Sequence, residues 1–389
     1  MTIDLPPQQP WYMAAQERWL TSRPPQRILL GLTTPIGDTL FAQPVIRAVR
    51  RRWPTARITA LVRSPTPPLA YANPLLDEVI VFDRTPGLPF VARTDITLAQ
   101  ILQRHCDLFI GLATSSNAIA LLTGIPRQVW QRLPLFFWLW GTLFYPNYTE
   151  LHAVELYWKV VQPLGLFPQE PSDHIPFWEV PATEQMAAQA RLAALGIARP
   201  STPVVLLHPG AAGYEGHKRW PAERFGALAR HLLATGTRVI VLGGPQDIPH
   251  ADEIVRATNG QAISLAGALG LMESIALITQ ADCYVGCDSG LTHFAVALDI
   301  PTVALYGPSS LAQFGPRPRD PRRVRVVLPQ PYLPPTGFFI GAESLFFPPR
   351  HQRTDHMQHI SVARVAAATE SLLRAFSPAP ACAGTLEEE

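Results

Sequence analysis

The chain has 389 residues and a formal net charge of +2, a length that favours two domains and a charge that argues against a nucleic-acid binder. Hydrophobic residues make up 47% and charged residues 16%, which suits a globular protein with a lightly charged surface. No apolar run reaches the length of about 18 residues that a spanning helix needs, and the proline-rich start, Met1 to Pro10, lacks the apolar core of a signal peptide.

Cys106, Cys283, Cys287 and Cys382 show no metal-ligand spacing. They fit a reducing, cytoplasmic setting better than a disulfide framework. Only Lys159 and Lys218 among the basic residues are lysine, so each lysine stands out. Prolines number 41, about twice the usual share, and punctuate the loops.

In chain order, residues 1–25 read as an N-terminal arm. Arg27 to Leu32 is an apolar run that predicts a buried strand. A loop through Gly37 and Asp38 follows, then a helix over Thr39 to Trp53 that ends in Arg50-Arg51-Arg52 and is stopped by Pro54. Arg57 to Val62 is the next strand, so the chain opens as a doubly wound α/β domain. It lacks G-x-G-x-x-G, so a dinucleotide site of that type is not expected. Further strands are predicted at Glu78 to Phe82, Asp107 to Leu112 and Arg127 to Trp130, with helices at Leu98 to His105 and Asn117 to Thr123. Arg132 to Pro146 is strongly aromatic. It reads either as a core-covering segment or as a flap facing a membrane, since large apolar patches mark interaction sites. His152 to Leu166 is an amphipathic helix ended by Gly165.

A second set of elements follows a helix at Ala182 to Leu195. Strands are predicted at Val204 to Leu207, Arg238 to Leu242, Ala262 to Leu265, Cys283 to Cys287 and Pro301 to Tyr306. Helices alternate with them at Ala222 to Ala234, Asp252 to Thr258, Met272 to Gln280 and Leu291 to Leu298. Residues 309–359 read as loop, and Ser361 to Phe376 as a last helix. The expected division is an arm (1–25), a first Rossmann-like domain (26–180), a linker (181–203), a second such domain (204–359), the last helix (360–376) and a disordered tail (377–389).

The polar candidates sit where strands hand over to helices. Asp288-Ser289-Gly290-Leu291-Thr292-His293 follows the run Cys283 to Cys287. Ligands of α/β sheets bind at the carboxyl ends of strands, and the free N–H groups of a first helical turn favour an anion. Asp288 either caps that helix or faces a ligand. Gly210 and Ala211 follow another strand, where loop N–H groups can cradle phosphate. Lys218, in the same loop, can place a point charge on a diphosphate; otherwise it is a solvated surface lysine. Asp247 closes the turn after Gly243-Gly244-Pro245 and can accept from ribose hydroxyls, or is a solvated turn residue. Asp38 is either a helix cap or a general base.

Several motifs, in order, resemble one family. They are RILLGLTTPIGDTLFAQPVIRAVRRRWPTARI from Arg27, HPGAAGYEGHKRWPAERFGALA from His208, VIVLGGPQD from Val239 and ADCYVGCDSGLTHFAVALDIPTVALYGP from Ala281. They resemble glycosyltransferase family nine, the bacterial heptosyltransferases of lipopolysaccharide core assembly. The resemblance implies a GT-B fold, with two doubly wound Rossmann-like α/β domains facing a cleft and the C-terminal helix crossing back to the first. It implies an inverting, metal-independent transfer from ADP-heptose to a glycan or glycolipid acceptor, with no cofactor beyond the nucleotide sugar. It assigns Asp38 as the base, Lys218 to the donor diphosphate, Asp288 to His293 to diphosphate and heptose, Gly210 and Ala211 to the phosphate loop, and Asp247 to the ribose. Gly37, Arg50 and Arg51 are the expected acceptor-side residues. The enzyme is expected in the cytoplasm, with peripheral contact at the inner membrane through the aromatic flap. The loop AAGYEGH and the stretch SSLAQFGP depart from the usual family pattern, and residues 132–148 and 329–350 have no counterpart. Another nucleotide sugar, another acceptor, or a non-catalytic binding subunit are the alternatives.

Overall fold

The computed structural model describes residues 22–82, 90–113, 116, 122–130, 151–197, 202–211, 217–331 and 356–376. The N-terminal arm up to residue 21, most of the helix expected at Asn117 to Thr123, the aromatic flap, the aromatic stretch beyond residue 331 and the tail lie outside them. The chain divides into two compact units, residues 1–176 and 177–389.

In the first unit, β1 (Arg27–Leu32), β2 (Arg57–Val62), β3 (Glu78–Val81), β4 (Leu108–Gly111) and β5 (Arg127–Trp130) form one sheet. Its order is β3-β2-β1-β4-β5 and its described pairings are parallel. The central strands read as unbroken apolar runs because both sheet faces are covered; in RILLGL only Arg27 is exposed. The helix expected over Thr39 to Trp53 is two helices, α1 (Ile36–Phe41) and α2 (Gln43–Arg52), with Ala42 at the joint. Pro44 explains the break: it has no N–H for a continuous ladder, and its ring crowds the carbonyl one turn earlier. α3 (Pro67–Tyr71) and α4 (Phe90–Gln103) follow. α5 (Ala153–Val161) runs into a short 3₁₀ turn and stops at Gly165, whose φ of 71° is left-handed.

The second unit carries β6 (Val204–His208), β7 (Arg238–Val241), β8 (Ile263–Ser264), β9 (Cys283–Cys287), β10 (Thr302–Leu305) and β11 (Val324–Val327). The order is β11-β10-β9-β6-β7-β8, again with parallel described pairings. β11 falls in a stretch read as loop; its VRVV is short, flanked by Arg322 and Arg323 and only partly buried, so it carries little apolar signal. The helices are α6 (Ala182–Ala194), α7 (Ala222–Ala234), α8 (Ile248–Ala257), α9 (Leu271–Ile278), α10 (Gly290–Ala297), α11 (Leu311–Phe314) and α12 (Val362–Phe376). The stretch read as a linker carries α6, which packs on α9 with Ala188 and Leu192 buried. α12, expected to cross back to the first domain, has its described packing on α7 and β9 to β11 of its own unit. Its Val365 and Leu372 join Trp220, Phe225, Leu228 and Ile254 in that unit's core. Among the described residues no helix is long and apolar enough to cross a membrane.

Each sheet reverses its winding once. Successive strands go one way from β1 and the other from β4; likewise from β6 and from β9. The carboxyl ends of β1 and of the pair β6 and β9 are therefore at switch points, where α/β sheets leave a crevice.

Candidate functional site

In the second unit, β6 and β9 are neighbours, with His208 in register with Gly286. Their outgoing loops meet. Asp288 leaves β9 buried among several polar partners. Lys218 Nζ donates to Oδ2 at 2.9 Å, Ser309 Oγ donates to the same oxygen at 2.6 Å, and His293 Nε2 lies 3.4 Å from Oδ1. Burial alone would push the carboxyl up. The Lys218 charge outweighs it, helped by His293 and Ser309, and holds Asp288 well below the usual carboxylate range.

Asp288 is not the cap of α10. Ser289 is, accepting from the Thr292 N–H, which leaves Asp288 to face Lys218. Nor is Lys218 a solvated lysine: its side chain is 9% exposed. Thr292 is buried and donates to the Cys287 carbonyl. Gly286 is required by closeness: a Cβ there would come within 2.9 Å of Thr292 Oγ1 and 2.8 Å of Tyr284.

A second network lies beside the first. Arg219 Nη2 donates to Asp247 Oδ1 and to the Ala211 carbonyl, both at 3.1 Å. Asp247 Oδ2 accepts from the Gly244 N–H at 2.9 Å. Asp247 is thus a buried, ion-paired residue, not a solvated turn aspartate, and its carboxylate ties the β7 turn to the loop after β6. Gly210 sits against it, since a Cβ would come 2.5 Å from Asp247 Oδ2 and 2.7 Å from His208 Nε2. His208 Nδ1 lies 3.1 Å from Ser289 Oγ. Burial lowers the imidazole to about 4 against the opposing pull of Asp247, so His208 is neutral at pH 7.

In the first unit, Gly37 and Asp38 fall in the first turn of α1, directly after β1. The residue before α1 is Pro35 and no side chain caps it, so Asp38 is not spent as a cap. It is half-buried, and the Tyr157 hydroxyl of α5 reaches its Oδ1 at 3.5 Å. Burial, then the Asp38 charge, pushes that hydroxyl well above the ordinary tyrosine range.

Arg50 and Arg51, expected on the acceptor side, both have partners within the first unit. Arg50 gives its donors to the carbonyls of Leu75, Pro54 and Ala56 and to Asp77. It locks the chain around the starts of β2 and β3. Arg51 shares the fully buried Asp173 with Arg47, at 2.9 and 3.1 Å. Burial would raise Asp173; the Gln169 N–H and the two arginines reverse that and hold it low. Of the three, only Gly37 stands beside Asp38.

The match to known proteins fits this geometry. Glycosyltransferase family 9 (heptosyltransferase) matches residues 143–332, which include both networks of the second unit. Lipopolysaccharide heptosyltransferase 2 of Escherichia coli is 27% identical, over 75% of this chain and 86% of its own. The Salmonella typhimurium protein of the same name is 26% identical over the same shares. Through residues 143–332 the chain is similar to glycosyltransferase family 9.

A solved family 9 glycosyltransferase from Veillonella parvula superposes with a TM-score of 0.71 at 22% identity, covering 90% of this chain and 97% of that one. The chain thus has the GT-B fold with two parallel sheets. Two site residues were not singled out by composition and spacing. Arg219 follows Lys218 in HKRW and organises the second network. Ser309 lies in the turn after β10 and donates to Asp288. The signal for both was position, next to Lys218 or in the turn at the end of a strand.

Proposed function

We propose that this chain is a family 9 glycosyltransferase that moves a heptosyl group from ADP-heptose to a glycan acceptor of the lipopolysaccharide inner core, with inversion at the anomeric carbon. The observation that carries this reading is the buried Lys218–Asp288–Ser309 cluster at the carboxyl end of β9, in a chain whose curated relatives are lipopolysaccharide heptosyltransferases.

In the proposed reaction, Asp38 accepts the proton of the acceptor hydroxyl as its oxygen attacks the anomeric carbon. The bond from that carbon to the diphosphate breaks, and ADP leaves with the electron pair. Lys218 and the first-turn N–H groups of α10 stabilise the charge gathering on the diphosphate, so the reading invokes no cofactor beyond the nucleotide sugar. Asp247 and Arg219 hold the loop bearing Gly210 and Ala211 in shape for the phosphates. The acceptor is a lipid-linked glycan met from the cytoplasmic side. We further propose peripheral contact with anionic membrane through Phe136, Trp138 and Trp140, aromatic residues of the kind that favour the headgroup boundary. Flotation with anionic vesicles tests this: loss in Trp138→Ser/Trp140→Ser supports it, and equal flotation of both proteins removes it.

The reaction itself is tested by incubating the protein with ADP-heptose and a panel of lipid A–Kdo and heptosylated core acceptors. Transfer with release of ADP is expected. ADP binding without transfer to any acceptor would favour a non-catalytic subunit, and turnover of another nucleotide sugar would reassign the donor.

A further inference from the structure

The sheet of the first unit carries a polar concentration at the edge opposite Asp38. β1, β2 and β3 begin at Arg27, Arg57 and Glu78. These residues, with Thr59, Arg104 and Cys106, line a cavity of about 280 Å³. Arg27 and Arg57 are register partners on adjacent strands, and like charges placed side by side on a sheet are unfavourable unless an anion compensates them.

Glu78 compensates in part. Its Oε1 accepts from Arg57 Nε at 2.8 Å and from Arg57 Nη2. Its Oε2 accepts from Arg104 Nε at 2.8 Å and Thr59 Oγ1 at 3.2 Å. Both oxygens are filled, and Arg27 takes no part. The Arg27 side chain donates Nη1 to the Arg104 carbonyl and makes no ion pair among the described residues. The flanking carboxylates form their ion pairs with arginines outside the lining, Asp77 with Arg50 and Asp107 with Arg127, although Asp77 also feels the Arg57 charge and Asp107 accepts from the Arg27 N–H. Three guanidinium charges against one carboxylate leave the lining two positive charges in surplus.

We propose that this cavity binds a phosphomonoester dianion. Guanidinium forks match phosphate oxygens in pairs, and arginines converging from two strands and the turn after α4 present such forks to one space. The same chemistry is offered by a small soluble phosphate ester and by a phosphatidic acid headgroup. The cavity lies at the amino ends of the strands, away from the switch point that holds Asp38, so its ligand does not compete there.

The test is calorimetric titration of the full chain with inorganic phosphate at constant ionic strength, with and without ADP. Binding is expected in both conditions. Arg57→Gln should weaken it about ten-fold or more, the usual result of losing a charge-assisted contact. Glu78→Gln should tighten it by about three-fold or more, because it removes the competing charge and releases guanidinium donors. A purely structural ion network predicts no such gain. Saturating ADP should leave phosphate affinity unchanged. Vesicles of phosphatidic acid, added without phosphate, identify the headgroup as the source if they bind through Arg57 while free phosphate does not. The proposal is overturned if neither probe binds, if Glu78→Gln fails to tighten binding, or if saturating ADP abolishes it. The readout uses no transfer activity, so it is independent of the proposed reaction.

Discussion

Removing Asp288 while keeping Lys218 should be more damaging than removing both. The ions are 2.9 Å apart with side chains 9% and 6% exposed. At an effective dielectric constant of about 20, attraction at that distance is roughly 6 kcal/mol. Taking each ion out of water costs several kcal/mol, so the net worth of the pair is small, whereas stranding one partner costs about 3–5 kcal/mol. Asp288→Asn should therefore destabilise the second unit by about 3–5 kcal/mol, and Lys218→Met/Asp288→Asn should recover most of that loss. For a domain of this size each kcal/mol lowers the melting midpoint by about 2–4 °C. The assay is a double-mutant cycle by urea unfolding, following tryptophan fluorescence, to which Trp220 contributes from the core of this unit. Coupling of about 2 kcal/mol or more is expected for an interacting pair of this kind. Strict additivity of the two single variants would refute the reasoning, because it would mean that neither ion depends on the other.

His208 gives a pH signature of the second network. Its folded value is about 4 against an ordinary 6.5, so the unfolded chain takes the proton first. Stability is full above about 6.5 and falls toward pH 4 by up to about 3 kcal/mol. His208→Asn should remove that slope from the urea midpoints; an unchanged slope would exclude His208 as its source. Asp288 acts lower, since a depressed carboxylate loses its contribution only as pH drops below its ordinary 3.8. Gly210→Ala should destabilise by about 1–3 kcal/mol, the usual range for overpacking, because the Asp247 carboxylate it would strike is pinned by Arg219 and Gly244; a variant with wild-type stability would show that the loop moves freely. Asp38→Asn should leave ADP affinity, read by calorimetry, within a few-fold and lower kcat by about two orders of magnitude or more; wild-type turnover would dismiss it as the base.

The sequence was most legible where one force dominates. β1, β2, β5 and β9 and helix α7 begin and end where apolar runs, prolines and turn residues place them. It was less legible where a single backbone rule cut a longer pattern, as Pro44 does between α1 and α2, or where a strand carried little apolar signal, as in β11. At the site, spacing found the strand-to-helix turns and their polar residues. It could not find partners distant in sequence. Ser309 meets Asp288 from a separate turn, and Tyr157 meets Asp38 from a helix well over a hundred residues on. Arg50 shows the same limit: a basic run at a helix end looks available for a ligand, and only the fold shows its donors given to carbonyls.

The scarcity of lysine makes the ion pair observable without any mutation. Lys159 lies exposed on α5, while the amine of Lys218 is closed in against Asp288. A reagent that acylates amines therefore meets one accessible side chain in the described fold. Adduct counting by intact-mass spectrometry becomes a clock for the second, since each opening of the pair uncovers an amine that the closed state withholds. Solutes that hold the site shut slow that clock, and solutes that draw Lys218 away from Asp288 alter it in a way the unmodified protein reports by itself.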